Sequence, residues 1–200
     1  MPEKFTPLTA IAAPYDAVNV DTDQILPARF LKMPRSGGYG QFLFHDLRAA
    51  KPDFVLNRAP WREARIFVGN SNFGCGSSRE GAAFAFHDAG FRGIIAPSFG
   101  DIFYNNCLKN GIVPVRLPEE VCVHLRKHLA QKPGTGLTVD LEKQVVIERG
   151  GATHPFQVDA FYREMLLQGV DELGLALSLD NEIEAFERRY AEEFPWARGS

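Results

Sequence analysis

The chain has 200 residues and a formal net charge of −3, with 45% hydrophobic and 24% charged residues. This length suits one globular domain whose core needs no disulfide or metal, and the charge excludes the basic surface of a nucleic-acid-binding protein. No apolar run approaches the roughly 20 residues of a membrane span, and the N-terminal residues lack a signal peptide's apolar core, so we expect a cytoplasmic protein without membrane contact.

The first half of the chain predicts a strand, a long irregular stretch and a parallel strand–helix–strand unit. The apolar segment 7–15 predicts the first strand, and residues 17–44, rich in Asp, Pro and Gly, predict loops around short elements. Segments 64–69 and 93–98 predict buried strands joined by a helix over about 79–88. The short crossover implies parallel pairing with a right-handed connection.

The second half predicts further helices and a hairpin. A helix over 101–111, with a glycine at its C-terminal end, leads into a strand over 112–117. The helix over 119–131 has one apolar stripe with a spacing of four, formed by Val121, Leu125 and Leu129. The remaining elements are a hairpin and two helices, at 136–148, 158–169 and 180–194. We therefore expect a single α/β domain with a mixed sheet covered by helices.

Three cysteines, Cys75, Cys107 and Cys122, are too few and too scattered for a disulfide framework or a cluster motif. No C-x-x-C occurs, and no histidine pair lies at metal-ligand spacing on an obvious helix. We therefore expect that the chain's own residues hold no metal and no other cofactor.

A polar cluster at 72–80 lies between a predicted strand and a predicted helix. Ser77 and Glu80 have the spacing of a capping box, in which the Ser77 hydroxyl accepts from the Glu80 amide. Arg79 does not fit that interpretation, because a cation at a helix start opposes the macrodipole unless an anion binds there. Backbone amides, the hydroxyls of Ser77 and Ser78 and the Arg79 guanidinium together predict a carboxylate or phosphate site.

Other functional interpretations of this cluster are weaker. Neither the nucleophile elbow G-x-S-x-G nor the P-loop spacing occurs there. His87 falls in the last turn of the predicted helix, where a histidine is favourable, so we interpret it as structural. A non-catalytic anion-binding or regulatory module remains an alternative, but it does not explain the DTD motif at 21–23 or the unit at 98–106.

Three ordered segments, NVDTDQILPARFL, FGCGSSRE and APSFGDIFYNNCLKNGIVPV, resemble the small subunits of bacterial 3-isopropylmalate dehydratase. The resemblance covers nearly the whole chain. It implies a single swivelling β/β/α domain over residues 1–200, similar to the fourth domain of aconitase, with helices over about 157–193 as an extension. It also implies a large subunit as partner, which holds a [4Fe-4S] cluster through its own cysteines.

The resemblance implies a reaction, in which water is removed from 2-isopropylmalate and added back to give 3-isopropylmalate in leucine biosynthesis. Ser77 matches the family's base, which abstracts a proton beside a carboxylate of this small dicarboxylate. Arg79 matches an arginine that binds a substrate carboxylate, and Ser78 matches the adjoining hydroxyl, which binds substrate or orients Ser77. Thr22 and Asp23 match substrate-site residues, with plain loop structure as the alternative.

A third group of implied residues concerns substrate specificity. Arg35, twelve residues after Asp23, matches a second substrate-binding arginine, with a solvated arginine as the alternative. Segment 31–39 resembles the loop that distinguishes an isopropyl group from a third carboxylate. Gly81 stands where the family commonly has histidine, which suggests a close approach or altered packing and leaves methylmalate or dimethylmalate as alternative substrates.

Overall fold

A computed structural model describes residues 3–197 of the chain, without the side chains at positions 172, 175, 178 and 197. Within these residues seven strands form one mixed sheet of order β4-β3-β2-β1-β5-β6-β7. The strands are β1 Leu8–Pro14, β2 Ile66–Val68, β3 Gly93–Ala96, β4 Val113–Arg116, β5 Gly136–Asp140, β6 Val145–Glu148 and β7 Thr153–Pro155.

The α-helices connect and cover these strands. They are α1 Thr22–Ile25, α2 His45–Ala50, α3 Gly81–Asp88, α4 Asp101–Lys109, α5 Glu119–Gln131, α6 Ala160–Gln168, α7 Glu172–Ser178 and α8 Asp180–Glu193. Every helix predicted from the sequence is present, and the short helices α2 and α7 are additions. None of the helices in residues 3–197 combines the length and apolar character needed to cross a membrane.

The sheet has a parallel half and an antiparallel half. Strands β1 to β4 pair in parallel, whereas β5 pairs antiparallel with β1 and β6, and β6 pairs antiparallel with β7. Every residue of β2 and β3 is buried, as expected for central parallel strands covered on both faces. The predicted α/β fold, parallel unit and hairpin are confirmed, whereas the extent of the domain and its C-terminal extension stay predictions.

Two hydrophobic clusters fill the two faces of the sheet. Ile66 and Val68 of β2 contribute to the cluster that includes Leu125 of α5, whereas Phe67 faces the cluster that includes Phe86 of α3. The ring centroids of Phe67 and Phe86 lie 5.4 Å apart in an edge-to-face arrangement. This aromatic packing fixes α3 against the sheet, and with it the chain that enters α3.

The loops that follow β1, β2 and β3 meet at one edge of the sheet. The amide of Gly74 donates to the carbonyl of Val20 at 2.7 Å, and the amide of Gly100 donates to the carbonyl of Phe73 at 2.9 Å. As predicted, residues 17–44 contain only short helices between loops. Because ligands of parallel α/β sheets bind at the carboxyl ends of the strands, this edge positions the candidate site.

Candidate functional site

The turn at residues 75–80 precedes α3 and differs from the predicted capping box. Helix α3 begins at Gly81, and Glu80 takes the N-cap position without a side-chain cap. The Ser77 hydroxyl does not cap the helix, and the Glu80 carboxylate instead accepts from Nδ2 of Asn110 at 3.0 Å. The capping box is therefore wrong, because Gly76, at φ 92°, directs the chain through a separate turn before the helix starts.

The same turn corrects the position of Arg79. Its amide donates to the carbonyl of Ser77 at 2.7 Å, so Arg79 lies in the turn and not in the second position of the helix. Ser77 and Ser78 are exposed, and no residue in the described part of the chain hydrogen-bonds to either hydroxyl. The 75–80 turn thus presents two unpartnered hydroxyls and a guanidinium at the sheet edge.

Thr22 fastens this turn to the loop after β1. It is 2% exposed, and its hydroxyl donates to the carbonyl of Ser77 at 3.2 Å. Its backbone amide donates to the carbonyl of Cys75 at 3.0 Å. Thr22 therefore fixes the backbone on which Ser77 is placed.

The two aspartates beside Thr22 have different contacts. Asp21 caps α1, because its carboxylate accepts from the amide of Gln24 at 2.7 Å. The Asp23 carboxylate forms an ion pair with Nη1 of Arg79, and its side chain remains 52% exposed. Within the described residues Nε and Nη2 of Arg79 have no partner, which leaves donors for a second carboxylate.

Arg35 lies along α3, away from the 75–80 turn. Its Nη1 and Nη2 atoms donate to the Asp88 carboxylate at 2.5 and 3.0 Å. The structure thus groups Ser77, Ser78 and Arg79 with the DTD loop and places Arg35 against the other end of the helix. The substrate-binding roles of all these residues stay predictions.

Asp88 is a residue of the site region that sequence reasoning missed. Burial raises the pKa of this carboxyl, but hydrogen bonds from the Tyr39 amide and the Arg35 guanidinium outweigh it, and the net pKa is lower than usual. Asp88 ends α3, where a carboxylate opposes the helix dipole. The dipole argument that drew attention to Arg79 would have found it, whereas His87 in the same turn has its pKa lowered by burial.

Gly81 marks a close approach, as its place in the sequence suggested. A Cβ atom at this position would lie 2.5 Å from Cδ2 of Leu31 and 2.9 Å from Cδ2 of Leu26. Leu31 is 37% exposed, whereas Leu26 is fully buried. The missing side chain therefore lets Leu31 of segment 31–39 pack against the start of α3.

The thiols do not form a cluster site. Cys107 and Cys122 are buried, and burial raises the pKa of Cys107 well above its usual value and that of Cys122 to about 11. Burial raises the pKa of Cys75 as well, and Asp21 adds to the shift. No three His, Cys, Asp or Glu side chains in the described ranges could together hold a metal ion. These residues do not fit an iron–sulfur cluster.

Comparisons with known proteins give the family. The family model of the aconitase C-terminal domain matches residues 2–120, and a model described as LeuD_N matches residues 123–160. These two matches follow each other along the chain and together include the 75–80 turn, segment 31–39 and α3.

Individual relatives are named as small subunits of 3-isopropylmalate dehydratase. The 3-isopropylmalate dehydratase small subunit of Gluconobacter oxydans is 52% identical over 192 residues, which are 94% of this chain and 92% of that one. That of Granulibacter bethesdensis is 50% identical over 97% of this chain and 95% of its own. A solved structure of 3-isopropylmalate dehydratase from Methanocaldococcus jannaschii superposes with a TM-score of 0.67 at 25% identity, covering 91% of this chain and 99% of that chain. The chain therefore belongs to the family of 3-isopropylmalate dehydratase small subunits, as its three motifs predicted.

Proposed function

We propose that the chain, together with a large subunit, converts 2-isopropylmalate into 3-isopropylmalate by dehydration and rehydration in leucine biosynthesis. The observation that carries this proposal is the 75–80 turn, which presents Ser77, Ser78 and Arg79 at the carboxyl edge of the sheet. Relatives about 50% identical over most of the chain are named as small subunits of this enzyme.

Arg79 binds one carboxylate of the substrate in this proposal. Its planar guanidinium offers paired donors that match the two carboxylate oxygens. The ion pair with Asp23 uses Nη1, which leaves Nε and Nη2 to donate to the substrate while Asp23 orients the group. Thr22 contributes by holding the backbone of Ser77, and these contacts support a place in the site for Thr22 and Asp23 of the DTD motif.

Ser77 is the base that removes the proton from the carbon beside a carboxylate. The C–H electrons form the double bond, and the C–O bond of the neighbouring carbon breaks with its electron pair on oxygen, so that the departing hydroxide and the abstracted proton together make up the water that is lost. Rehydration then adds H and OH to the opposite carbons. Because a serine hydroxyl is a poor base in water, the site must favour its alkoxide by several pKa units. The Arg79 charge and the positive end of α3 contribute to this preference, and Ser78 binds substrate or orients Ser77.

The large subunit completes the site. The chain's own thiols are scattered and two of them are buried, so we expect the [4Fe-4S] cluster in the partner. Bound there, the cluster would supply a Lewis acid for the departing hydroxyl. A cytoplasmic location is part of the same proposal.

Gly81 favours one alternative within the same chemistry. Leu31 occupies the space beside Gly81, so the room for an alkyl group differs from that in relatives with a side chain there. A smaller or differently branched alkylmalate, such as methylmalate or dimethylmalate, is the second candidate substrate.

Anaerobic co-expression with an aconitase-like large subunit tests the proposal. We expect the chain alone to be colourless and inactive, and the complex to turn over 2-isopropylmalate in preference to methylmalate and dimethylmalate. A stoichiometric iron–sulfur absorption in the chain alone would contradict the assignment of the cluster. A cluster-loaded complex that turns over none of these malates would support a non-catalytic anion-binding module instead.

A further inference from the structure

We propose that Asp88 is a positioning residue for substrate recognition, which holds segment 31–39 against α3 through Arg35, and that Arg35 acts on Asp88 and not on the substrate. This inference rests on the proposed function, which makes segment 31–39 part of the substrate site. It concerns the shape of that site, whereas the Ser77 chemistry lies at the other end of α3.

The Asp88 carboxylate collects donors from two points of the segment. Arg35 donates to it through both terminal nitrogens, at 2.5 and 3.0 Å, and the backbone amide of Tyr39 donates to Oδ2 at 2.6 Å. The Asp88 side chain is 15% exposed. A largely buried carboxylate with three donors from the segment is a strong point of attachment, because paired charge-assisted hydrogen bonds fix both distance and orientation.

Side-chain packing strengthens the same attachment. The Arg35 guanidinium carbon lies 4.4 Å from the centre of the Phe84 ring, one turn before Asp88 on α3. The Tyr39 hydroxyl donates to the carbonyl of Met33 at 3.2 Å, which links the two ends of the segment. Arg35 thus contacts an aromatic face and a carboxylate at once, while its side chain stays 43% exposed.

The backbone of the segment also lies directly on the helix. A Cβ atom at Gly40 would lie 2.6 Å from the amide nitrogen of Ala89, and one at Gly38 would lie 3.5 Å from Oδ2 of Asp88. Gly38 has φ 69°, a conformation that favours glycine. Gly40 therefore allows an approach that a side chain would prevent, whereas Gly38 supplies the backbone conformation that precedes it.

Helix α3 consequently links two parts of the site. The 75–80 turn precedes its first residue, Leu31 packs against that residue at Gly81, and Asp88 holds Arg35 and Tyr39 at its last turn. Seven helical steps correspond to about 10 Å. The helix thus sets the distance between the carboxylate-binding turn and the segment that meets the alkyl group.

A substrate carboxylate could not take the paired terminal nitrogens of Arg35 without displacing Asp88, and only Nε and the outer N–H groups would remain for it. Both of its terminal nitrogens are bound to Asp88, and moving them to a substrate would leave a largely buried carboxylate without its counter-charge. Breaking such a partnership costs more than breaking an exposed one. Arg35 therefore acts by holding its own segment.

Kinetics of the complete enzyme on two malates with different alkyl groups distinguish a positioning role of Arg35 from binding of a substrate carboxylate. We expect Arg35→Ala and Asp88→Ala each to lower kcat/KM for 2-isopropylmalate about tenfold, but for 2-methylmalate less than about threefold, mainly through KM. The double variant should be no worse than the worse single variant, because both substitutions remove one contact. Equal losses on both substrates in Arg35→Ala, or an unchanged Asp88→Ala enzyme, would overturn the proposal.

Hydrogen exchange of the substrate-free complex provides a readout that does not depend on turnover. Amides 36–40 should exchange faster in both single variants than in wild type, whereas unchanged exchange would overturn the proposal. If the wild-type complex were inactive on every malate, the proposed function would be refuted, but not the attachment of the segment.

Asp46→Ala is the matched control, because Asp46 pairs with Arg29 while both side chains stay more than half exposed. Asp88→Asn, of equal size, replaces the alanine variant if that variant does not fold.

Discussion

The 75–80 turn and segment 31–39 each contain an arginine paired with an aspartate, yet the two pairs differ. Asp23, the partner of Arg79, is 52% exposed, whereas Asp88, the partner of Arg35, is 15% exposed. Asp23 engages Arg79 through one nitrogen, whereas Asp88 engages Arg35 through two and also accepts from a backbone amide.

This difference indicates which arginine can exchange its partner for a substrate. An exposed ion pair contributes little to stability, so a substrate carboxylate can bind beside Asp23 at small cost. In the other pair Arg35 is 43% exposed but the Asp88 carboxylate is largely buried, so this carboxylate loses more when its counter-charge is removed. Two arginines that look equivalent in the sequence thus have different roles: Arg79 binds the ligand, and Arg35 holds segment 31–39 in place.

Substitution of Ser77 should have the largest effect on turnover and should leave stability unchanged. We expect Ser77→Ala to lower kcat by about 10² to 10⁴, the usual worth of a positioned base. The melting temperature should not change, because the Ser77 hydroxyl caps no helix. Kinetics and thermal melting of Ser77→Ala, with Asp46→Ala as the control outside the site, test this. A variant near wild-type turnover would remove Ser77 from the mechanism.

Substitution of Asp23 should have an intermediate effect. Asp23→Asn weakens the contact that orients Arg79, so kcat/KM should fall about three- to tenfold, mostly through KM. The neighbouring Asp21→Ala should instead lower the free energy of unfolding by about 0.5–2 kcal/mol, because Asp21 caps α1. Steady-state kinetics and urea unfolding of both variants check the contrast. Identical behaviour of the two aspartates would contradict it.

Substitution of Gly81 should act on selectivity with little effect on the reaction rate. The new methyl group in Gly81→Ala meets the partly exposed Leu31, which can rotate away, and the buried Leu26. We expect about a two- to threefold change in the preference between 2-isopropylmalate and 2-methylmalate, and a helix-propensity gain of at most about 1 kcal/mol. Adding Leu31→Ala should relieve the overlap. An unchanged preference would separate Leu31 from substrate recognition.

Lowering the pH should weaken the attachment of segment 31–39, and we expect this effect to be the smallest of these effects. The folded pKa of Asp88 is lowered, so its contribution to stability is present above the unfolded pKa of about 4 and is lost as pH falls through the folded value. Urea unfolding at decreasing pH should therefore show a flatter decline in Asp88→Asn than in wild type. Parallel declines would show that Asp88 has the same pKa folded and unfolded.

Local patterns in the sequence were sufficient to predict most elements and the 75–80 turn. Strand and helix periods repeat within a few residues, and the FGCGSSRE motif is contiguous. Contacts between distant residues could not be obtained in this way. Thr22 and Ser77 are 55 positions apart, and Arg35 and Asp88 are 53 apart. The capping box failed in part for the same reason, since Gly76 turns the chain before the helix starts and the Glu80 carboxylate finds its partner in Asn110, 30 positions away.

Lysine substitution of the two arginines, in one reconstituted complex, tests the central claim most directly. Lysine keeps the charge but loses the paired donors. We expect Arg79→Lys to lower kcat/KM for 2-isopropylmalate at least about tenfold, with a higher KM. Arg35→Lys should change it less than about threefold, because an ammonium group still reaches Asp88 and the Tyr39 contact remains. Equal losses, or a larger loss in Arg35→Lys, would contradict the assignment of Arg79 to the substrate and Arg35 to the fold.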